Sequence, residues 1–591
     1  MKIKHTVDVL VVGGGGSGLT ASMLLSSYGV SSYLVSKYPT TSRLPKASGL
    51  AIKTMEIFRE LGLEDAVRAR ATPPEHLRFT GIYAGLAGPH PDYGRPIVRL
   101  PYWEFGGEDA DWRAASSVRP ANLMQSQLEP LMKARAEALA PGSIFFNHSL
   151  LSFEGTGSGI VATIEDRATR EVYQVAARYL LGCDGGRVVG PQLGVEMEGH
   201  LAVATSVSVH FSADLSPWVK DADALLKTLI NPDVGLPCAL VSMGPDNWGA
   251  HSEEWVAHLL SFSGDHKAYD DATAIAMMRR CLGLHEVPIE VHLVNRWPLD
   301  AVVASKYRFG HAFLLGDAAH RMPPAGGHGL NTAIQDAYNL CWKLAAVLKG
   351  HAAEALLDTY ERERRPVAQH NVATAFKGWQ NNKPMAAALG VDPNNDASVN
   401  WANVRKTWEP GEAGDAARLR LARVVPGVVP NGNPLHLAFG YTYHDGAVVS
   451  DEVLAPFLPE PLGIFQPSTR PGHSLPDRWV ESLVDRKALG DLVGRGHFVL
   501  IAGAEGHGWV DAAVRVAKER SIALDAFTVG GTEGDWLDSR GGWKRVQEFG
   551  PGGAILVRPD RFIAWRSMDA STSAVAEMHA AFDHLFRAFS D

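Results

Sequence analysis

Residues 6–12 read Thr-Val-Asp-Val-Leu-Val-Val, a nearly continuous β-branched run of the kind that forms a strand buried on both faces. Glycines 13–16 and 18 follow, and Leu19 to Tyr28 then has the composition of a helix stopped near Gly29. Val30 to Val35 supplies a second strand. Such a β-turn-α-β unit predicts a doubly wound α/β sheet. Helices are expected over 50–61 and 122–138, and strands over 144–146, 160–164, 172–181 and 312–315. Between about 200 and 300 the texture changes. Segments 203–211 and 289–294 alternate apolar and polar residues, the pattern of an antiparallel sheet. From Asn331 to Lys349, Ile334, Ala337, Cys341, Leu344, Ala345 and Leu348 recur at helical spacing, with Gly350 as the stop. Residues 380–435 are rich in Pro, Gly and Asn and read as connecting structure. A last unit follows, with strands over 498–502, 522–529 and 554–557 and a helix over 509–519.

Length and composition narrow the class. A chain of 591 residues exceeds one ordinary core, so three or four domain-sized units are expected. Hydrophobic residues at 46% and charged residues at 20% exclude a disordered or fibrous protein. A formal charge of −9 is small at this size, so neither nucleic acid nor an acidic membrane surface is an expected partner. The four cysteines (Cys183, Cys238, Cys281, Cys341) are scattered, without the clustering that a disulfide framework or zinc site needs, and a reducing cytoplasm is the expected location. The apolar run after the N-terminal lysines is interrupted by Asp8 and is too short for a signal peptide or a membrane span.

Gly13-x-Gly15-x-x-Gly18 sits between a buried strand and a helix. Gly13 permits the tight turn, Gly15 lets backbone approach a pyrophosphate, and Gly18 lets helix pack on strand. The free N–H groups of the helix start then face the phosphates. The acidic residue that usually ends the second strand and holds the adenosine ribose is missing, because Ser36 and Lys37 stand there. The loop thus favours a dinucleotide without distinguishing FAD from NAD.

The run Gly316-Asp-Ala-Ala-His-Arg-Met-Pro-Pro-Ala-Gly-Gly-His-Gly-Leu-Asn331 changes that balance. Together with the glycine loop and Cys183-Asp184-Gly185, it resembles the three-part signature of FAD-dependent aromatic hydroxylases of the p-hydroxybenzoate hydroxylase fold. The similarity is greatest to the phenol-type branch that includes 2,4-dichlorophenol and 2-hydroxybiphenyl hydroxylases. It covers most of residues 5–380 and continues more loosely to the end. The resemblance implies a Rossmann-like FAD-binding domain (1–80, 105–200 and 300–380), interleaved with an antiparallel-sheet substrate domain (81–104 and 201–299). A connecting segment (381–440) and a thioredoxin-like domain (441–591) would follow.

It also implies roles. Asp317 would accept hydrogen bonds from a ribityl hydroxyl. Pro324, Gly327 and Gly329 would lie against the flavin ring, with the Pro324 carbonyl near its reactive face. The amides of Leu330 and Asn331 would bind a flavin carbonyl, and the helix start would stabilise negative charge on reduced flavin. Gln125 matches a flavin-contacting glutamine, and Lys46 falls where an arginine commonly touches the FAD. Asp184 matches an acidic residue serving both FAD and the nicotinamide cofactor. After Asp184-Gly185 the usual serine and arginine are absent, and Arg187 is the candidate to compensate.

The implied reaction is hydroxylation of a phenolic substrate by O2 through a flavin C4a-hydroperoxide, with NADPH or NADH as reductant and a homodimer as the expected assembly. A phenol reacts best as its anion, so a base or an anion-stabilising donor is expected. Relatives often carry Asp or His at the position of Ser48, and serine alone is no base near neutral pH. His210, His251 and His258 are the alternatives, unless the substrate ionises by itself. Met243, Trp248 and Trp297 are candidate lining residues of a largely apolar pocket. The thioredoxin-like tail has no cysteine, so a structural role is expected. Epoxidation or Baeyer–Villiger oxidation by the same motifs stays open, as does a non-hydroxylating flavin- or NAD-binding protein.

Overall fold

A computed structural model of the chain describes residues 3–101, 115–261, 270–382, 384–428, 438–450, 465–531 and 534–586. The first sheet has eight strands, six of them in the order Arg308–Phe309, Ala312–Leu314, Val172–Gly182, Ile3–Val12, Ser32–Ser36 and Ile144–Phe146. The first strand pairs in parallel with Val172–Gly182 on one side and Ser32–Ser36 on the other. Val9, Leu10 and Val11 are fully buried, as the β-branched run requires of a strand covered on both faces.

The second sheet, also eight-stranded, runs His320–Arg321, Glu290–Ala304, Met197–Ser212, Glu254–Ser261, Pro237–Gly244, Ala224–Ile230, Phe79–Tyr83 and Pro96–Pro101. Its pairings are antiparallel, as expected, except that Ala224–Ile230 runs parallel to Phe79–Tyr83. Met197–Ser212 and Glu290–Ala304, the two longest strands among the described residues, pair along most of their length, and Ala301, Val303 and Ala304 pack into the core of the first sheet. One face of this sheet is core. Val207, Val209, Phe211, Trp255 and Ala257 pack there with Ala274, Met278, Cys281 and Leu282 of the helix Asp271–Leu282. That helix was not anticipated. Its signals are local: the Asp270 side chain accepts from the Thr273 amide at 2.7 Å, a cap that stabilises by about 1 kcal/mol, and Gly283 closes it with φ +72°.

Several helix starts differ from expectation. The first helix begins at Gly16, within the glycine loop, and a Cβ on Gly18 would stand 1.9 Å from the Gly13 carbonyl oxygen, so only glycine permits this packing. The helix expected from Asn122 begins at Gln125, because Ala121–Asn122 pairs instead with Gly49–Leu50. The helix expected from Asn331 begins at His328, after Gly327 in a left-handed conformation. The Pro/Gly/Asn-rich stretch holds helices at Pro384–Ala388, Ala397–Lys406 and Glu412–Val428, where Trp401, Val404 and Leu421 are buried. Residues 102–114, which the sequence reading divided between two units, lie outside the described residues.

In the last unit Phe498–Gly503 pairs in parallel with Leu524–Gly530 across the helix His507–Arg520, and antiparallel with Ala554–Val557. This is the thioredoxin-like order of strand, helix and strand. Among the described residues no helix is long and apolar enough to cross a membrane.

Candidate active site

A cavity of about 890 Å³ lies where the glycine loop, the loop 316–330 and the second sheet meet. Its first wall exposes backbone at several glycines. Gly13 and Gly18 do not reach it; both are taken up by packing, Gly13 against the Cys183 carbonyl. Gly15 lines it, and the nearest atom to a Cβ built there would be Glu129 Oε1, 3.6 Å away. Opposite, a Cβ on Gly327 would meet nothing within 4 Å, and one on Gly329 only Met322 Cγ at 3.9 Å. Gly15, Gly327 and Gly329 thus leave backbone open to the cavity, while the Leu330 side chain packs on Gly16, where an added Cβ would stand 2.4 Å from its Cδ1. The first-turn amides of the helix His328–Leu348, those of His328, Gly329 and Leu330, have no acceptor inside the helix. Lys46, Ser48, Gln125, Asp317, Pro324 and Leu330 complete this side.

The carboxylate of Asp317 is exposed at the cavity and makes no side-chain hydrogen bond among the described residues. Ser48 Oγ accepts from Asn122 Nδ2 at 3.1 Å, which fixes the hydroxyl without charging it. Asn331 does not line the cavity. Its side chain accepts from the Ala51 amide at 2.9 Å and the Thr54 hydroxyl at 2.6 Å, and donates to the carbonyls of Gly49 (2.9 Å) and Gly327 (2.8 Å). With all four bonds made, it clamps the two loops that frame the site.

Other expected residues lie elsewhere. Asp184 accepts from the amides of Gly186 (3.0 Å), Val188 (2.6 Å) and Val189 (3.0 Å), so its carboxylate organises its own loop and does not line the cavity. Arg187, in that loop, does line it. Ser36 is buried beneath Gly14, and Lys37 holds its ammonium over the Tyr38 ring; neither lines the cavity. Met243 is a core residue, 1% exposed: it follows the lining residues Ala239 and Val241 along the same strand face, but Leu77, Met124, Leu225 and Val256 cover it there. Trp248 also lies off the cavity, its indole packed over Gly244. His251 is exposed and outside the lining. Gln125 lines the cavity, but its amide nitrogen donates to Glu129 Oε1 at 2.6 Å. Glu129, which the sequence reading gave no role, is buried beside the glycine loop; burial raises its pKa against the hydrogen bonds and the Lys46 charge that lower it.

The second wall is one face of the second sheet, and it is more polar than expected. Strand Met197–Ser212 alternates buried Val207, Val209 and Phe211 with Ser206, Ser208 and His210, and the latter three line the cavity. Register places Asn295, Ser208, His258, Ala239 and Thr228 in one transverse row across five strands. Trp297 and Ser206 form the row nearer the loop 316–330. His210 is in the next row outward, about 7 Å along the strands from Ser208, paired with Leu293 and Val256. Its Nε2 lies 2.7 Å from Glu254 Oε2, and its ring centroid 4.9 Å from that of His292. One ligand atom from each of His210, Glu254 and His292 falls within 4.8 Å of the others, close enough to share a cation. Desolvation lowers the His210 pKa, Glu254 raises it and His292 lowers it.

His258 stands differently. Its Nδ1 is 2.8 Å from Ser208 Oγ, and its Nε2 makes no hydrogen bond to a described residue. Burial pushes its pKa down to about 4, so the ring is neutral at working pH. Asp300, the carboxylate on this wall, is already engaged by Arg321 Nε and the Ala202 amide, both at 2.8 Å. Trp379, Met385 and Ala386 cover the cavity's remaining side.

Comparison with known proteins extends this picture. A family model described as FAD binding domain matches residues 6–375, and one described as aromatic-ring hydroxylase, C-terminal, matches residues 468–588. The chain is 34% identical over 587 residues to 2,4-dichlorophenol 6-monooxygenase of Delftia acidovorans, covering 98% of this chain and 99% of the relative. It is 34% identical over 608 residues to tetracenomycin A2 monooxygenase-dioxygenase of Streptomyces glaucescens, covering 98% and 96%. The crystal structure of the flavin-dependent monooxygenase PieE in complex with FAD and substrate matches with a TM-score of 0.90 at 33% identity, over 99% of this chain and all of that one.

Proposed function

Because the chain belongs, along its whole length, to the FAD-dependent aromatic-ring hydroxylases, we propose that it hydroxylates a phenolic ring carried on a fused-ring polyphenol. It is a single-component FAD monooxygenase that uses O2 and a reduced nicotinamide. The observation that carries the substrate reading is the sheet wall. A simple phenol needs one polar partner, whereas this wall offers Asn295, Ser208, His258 and Thr228 in a row, with Ser206 beside them. Each buried polar group left unpaired would weaken binding by about 1–3 kcal/mol, so the wall selects a ligand with several oxygens.

The glycine-lined cradle fits a flavin dinucleotide. In this reading Gly15 and the helix start at Gly16 hold the pyrophosphate with Lys46. Asp317 takes the ribityl chain. Pro324, Gly327, Gly329 and the Leu330 amide hold the ring. Bound FAD supplies hydride acceptance and oxygen activation. The chain's own part is to orient and dry the substrate, with the sheet on one side and Trp379 and Met385 closing another. The substrate side carries no free carboxylate among the described residues, since Asp300 is paired and Ser48 is a hydroxyl. The phenolic acidity therefore comes from the substrate itself, aided by neutral hydrogen bonds, as suits an electron-poor polycyclic phenol. A cytoplasmic location is part of this proposal, supported by four free cysteines, three of them buried.

The test is NAD(P)H oxidation by the purified holoenzyme with phenols of one to four rings, quantifying peroxide and product together. Multi-ring polyphenols should accelerate oxidation and give hydroxylated product with little peroxide. Acceleration by single-ring phenols alone would overturn the substrate reading and leave the family's chemistry intact.

A further inference from the structure

The geometry points to His258, set by Ser208, as the residue that reads the substrate's oxygen pattern, at the centre of a transverse hydrogen-bonding row completed by Asn295 and Thr228. The inference rests on the fused-ring reading above and names the side chain that enforces it.

Strand registry makes the row. Asn295 pairs with Ser208, Ser208 with His258, His258 with Ala239, and Ala239 with Thr228. All five line the cavity, because the same face of each strand points into it while the other face is core. Neighbouring strands are ~4.8 Å apart, so the row is a ruled line of polar groups at that interval, with Ala239 as a gap. Oxygens carried on alternate rings of a linearly fused aromatic repeat at nearly the same interval. A flat molecule lying across the strands therefore meets successive polar groups with successive oxygens, whereas a single ring spans one interval at most.

Within the row His258 is the least replaceable member. Asn295 and Thr228 stand at the row's two ends. His258 has one ring nitrogen committed to Ser208 and the other without a partner among the described residues. No charged side chain shares the row. On its own strand the nearest is Glu254, two rows outward and engaged by His210; the flanking strands contribute Ser208 and Ala239. An uncharged imidazole in that setting is a directional partner for a hydroxyl or a ring carbonyl. It imposes a penalty on a ligand that lacks one, because the nitrogen is then left dry and unpaired. His258 is thus a specificity-determining residue, and Ser208 a positioning residue that holds its ring.

The experiment compares 1,8-dihydroxyanthracene, which carries hydroxyls on alternate rings along one edge, with anthracene, which carries no oxygen, binding each to the FAD-loaded enzyme and reading the flavin spectrum. The wild type should prefer the diol by about tenfold or more. His258→Leu should reduce that preference to about twofold, and His258→Gln, which keeps one hydrogen-bonding atom, should recover part of it. Ser208→Ala should reduce it less than His258→Leu. FAD content equal to the wild type's shows that a variant is folded. If His258→Leu keeps the full preference, the inference is overturned while the polycyclic reading stands. If neither compound binds the wild type, both fall together.

Discussion

His320 Nε2 lies 2.7 Å from Asp336 Oδ2 in a part of the core where neither side chain has any exposed surface. The same oxygen accepts from the Gly316 amide at 3.2 Å, and Asp336 Oδ1 accepts from Arg364 Nε at 2.9 Å. Arg364 reaches on to the hydroxyls of Tyr441 and Tyr443. One buried carboxylate therefore fixes the turn that presents Asp317 and couples it to residues far along the chain. Burial works to raise the Asp336 carboxyl, but His320 and Arg364 outweigh it and hold the group below its usual range.

Asp336→Asn keeps the shape but removes the charge that balances Arg364. A loss of about 3–5 kcal/mol is expected, the size found when one partner of a buried pair is removed. It should appear as a lower Tm together with reduced flavin content, since the Gly316 turn loses its anchor. A variant with unchanged Tm and full flavin would show that the network is dispensable.

Asp317→Ala should purify with much weakened FAD. A hydrogen bond to a charged group contributes about 1.5–3 kcal/mol, roughly a tenfold to hundredfold rise in Kd. Flavin absorbance per protein on purification, followed by titration with added FAD, measures it. A fully loaded yellow variant would remove Asp317 from the cofactor site.

Ser48→Asp places a carboxylate where the chain has a hydroxyl bonded to Asn122. The pH–rate profile for phenol-stimulated NAD(P)H oxidation should gain an acid limb as the new group titrates, with single-ring phenols improving relative to polycyclic ones. If the profile stays the same, Ser48 faces away from the reacting hydroxyl.

Glu363 accepts from Lys343 Nζ at 2.7 Å and Arg558 Nη1 at 2.7 Å, all fully buried, and joins the helix Thr359–Asn382 to the last unit. Burial would raise its carboxyl pKa, but Arg558 and then Lys343 outweigh that and hold it far below the ordinary value. Its contribution is thus complete above the unfolded pKa of about 4.3 and is lost as pH falls below that. Thermal melts from pH 7 to pH 3 should show Tm falling below about pH 4.3, and Glu363→Gln should be destabilised at pH 7 with a flatter acid limb. Parallel acid limbs in variant and wild type would place the acid sensitivity elsewhere.

The sequence by itself determined the parts whose signals are local. The β-branched run before Gly13, the alternation from 203 to 211 and the Gly-Asp-to-Asn run at 316–331 each carry their periodicity or backbone demand within a few residues. The glycine loop, the two sheets and the backbone exposed at Gly15, Gly327 and Gly329 were therefore legible. So was the placement of Ser48, Trp297 and Asp317 at the cavity. Only the tertiary structure decided which polar residues face what. Val241 and Met243 share one strand face, yet only packing by Leu77, Met124 and Leu225 makes one a cavity residue and the other core. His210 and His258 look alike in sequence, yet pairing across strands gives one a glutamate and leaves the other open to the cavity. Asp336, Glu129 and Asn331 bond to partners that are remote in sequence or brought close only by folding, so their roles are properties of strand registry and helix packing, which no short-range pattern encodes.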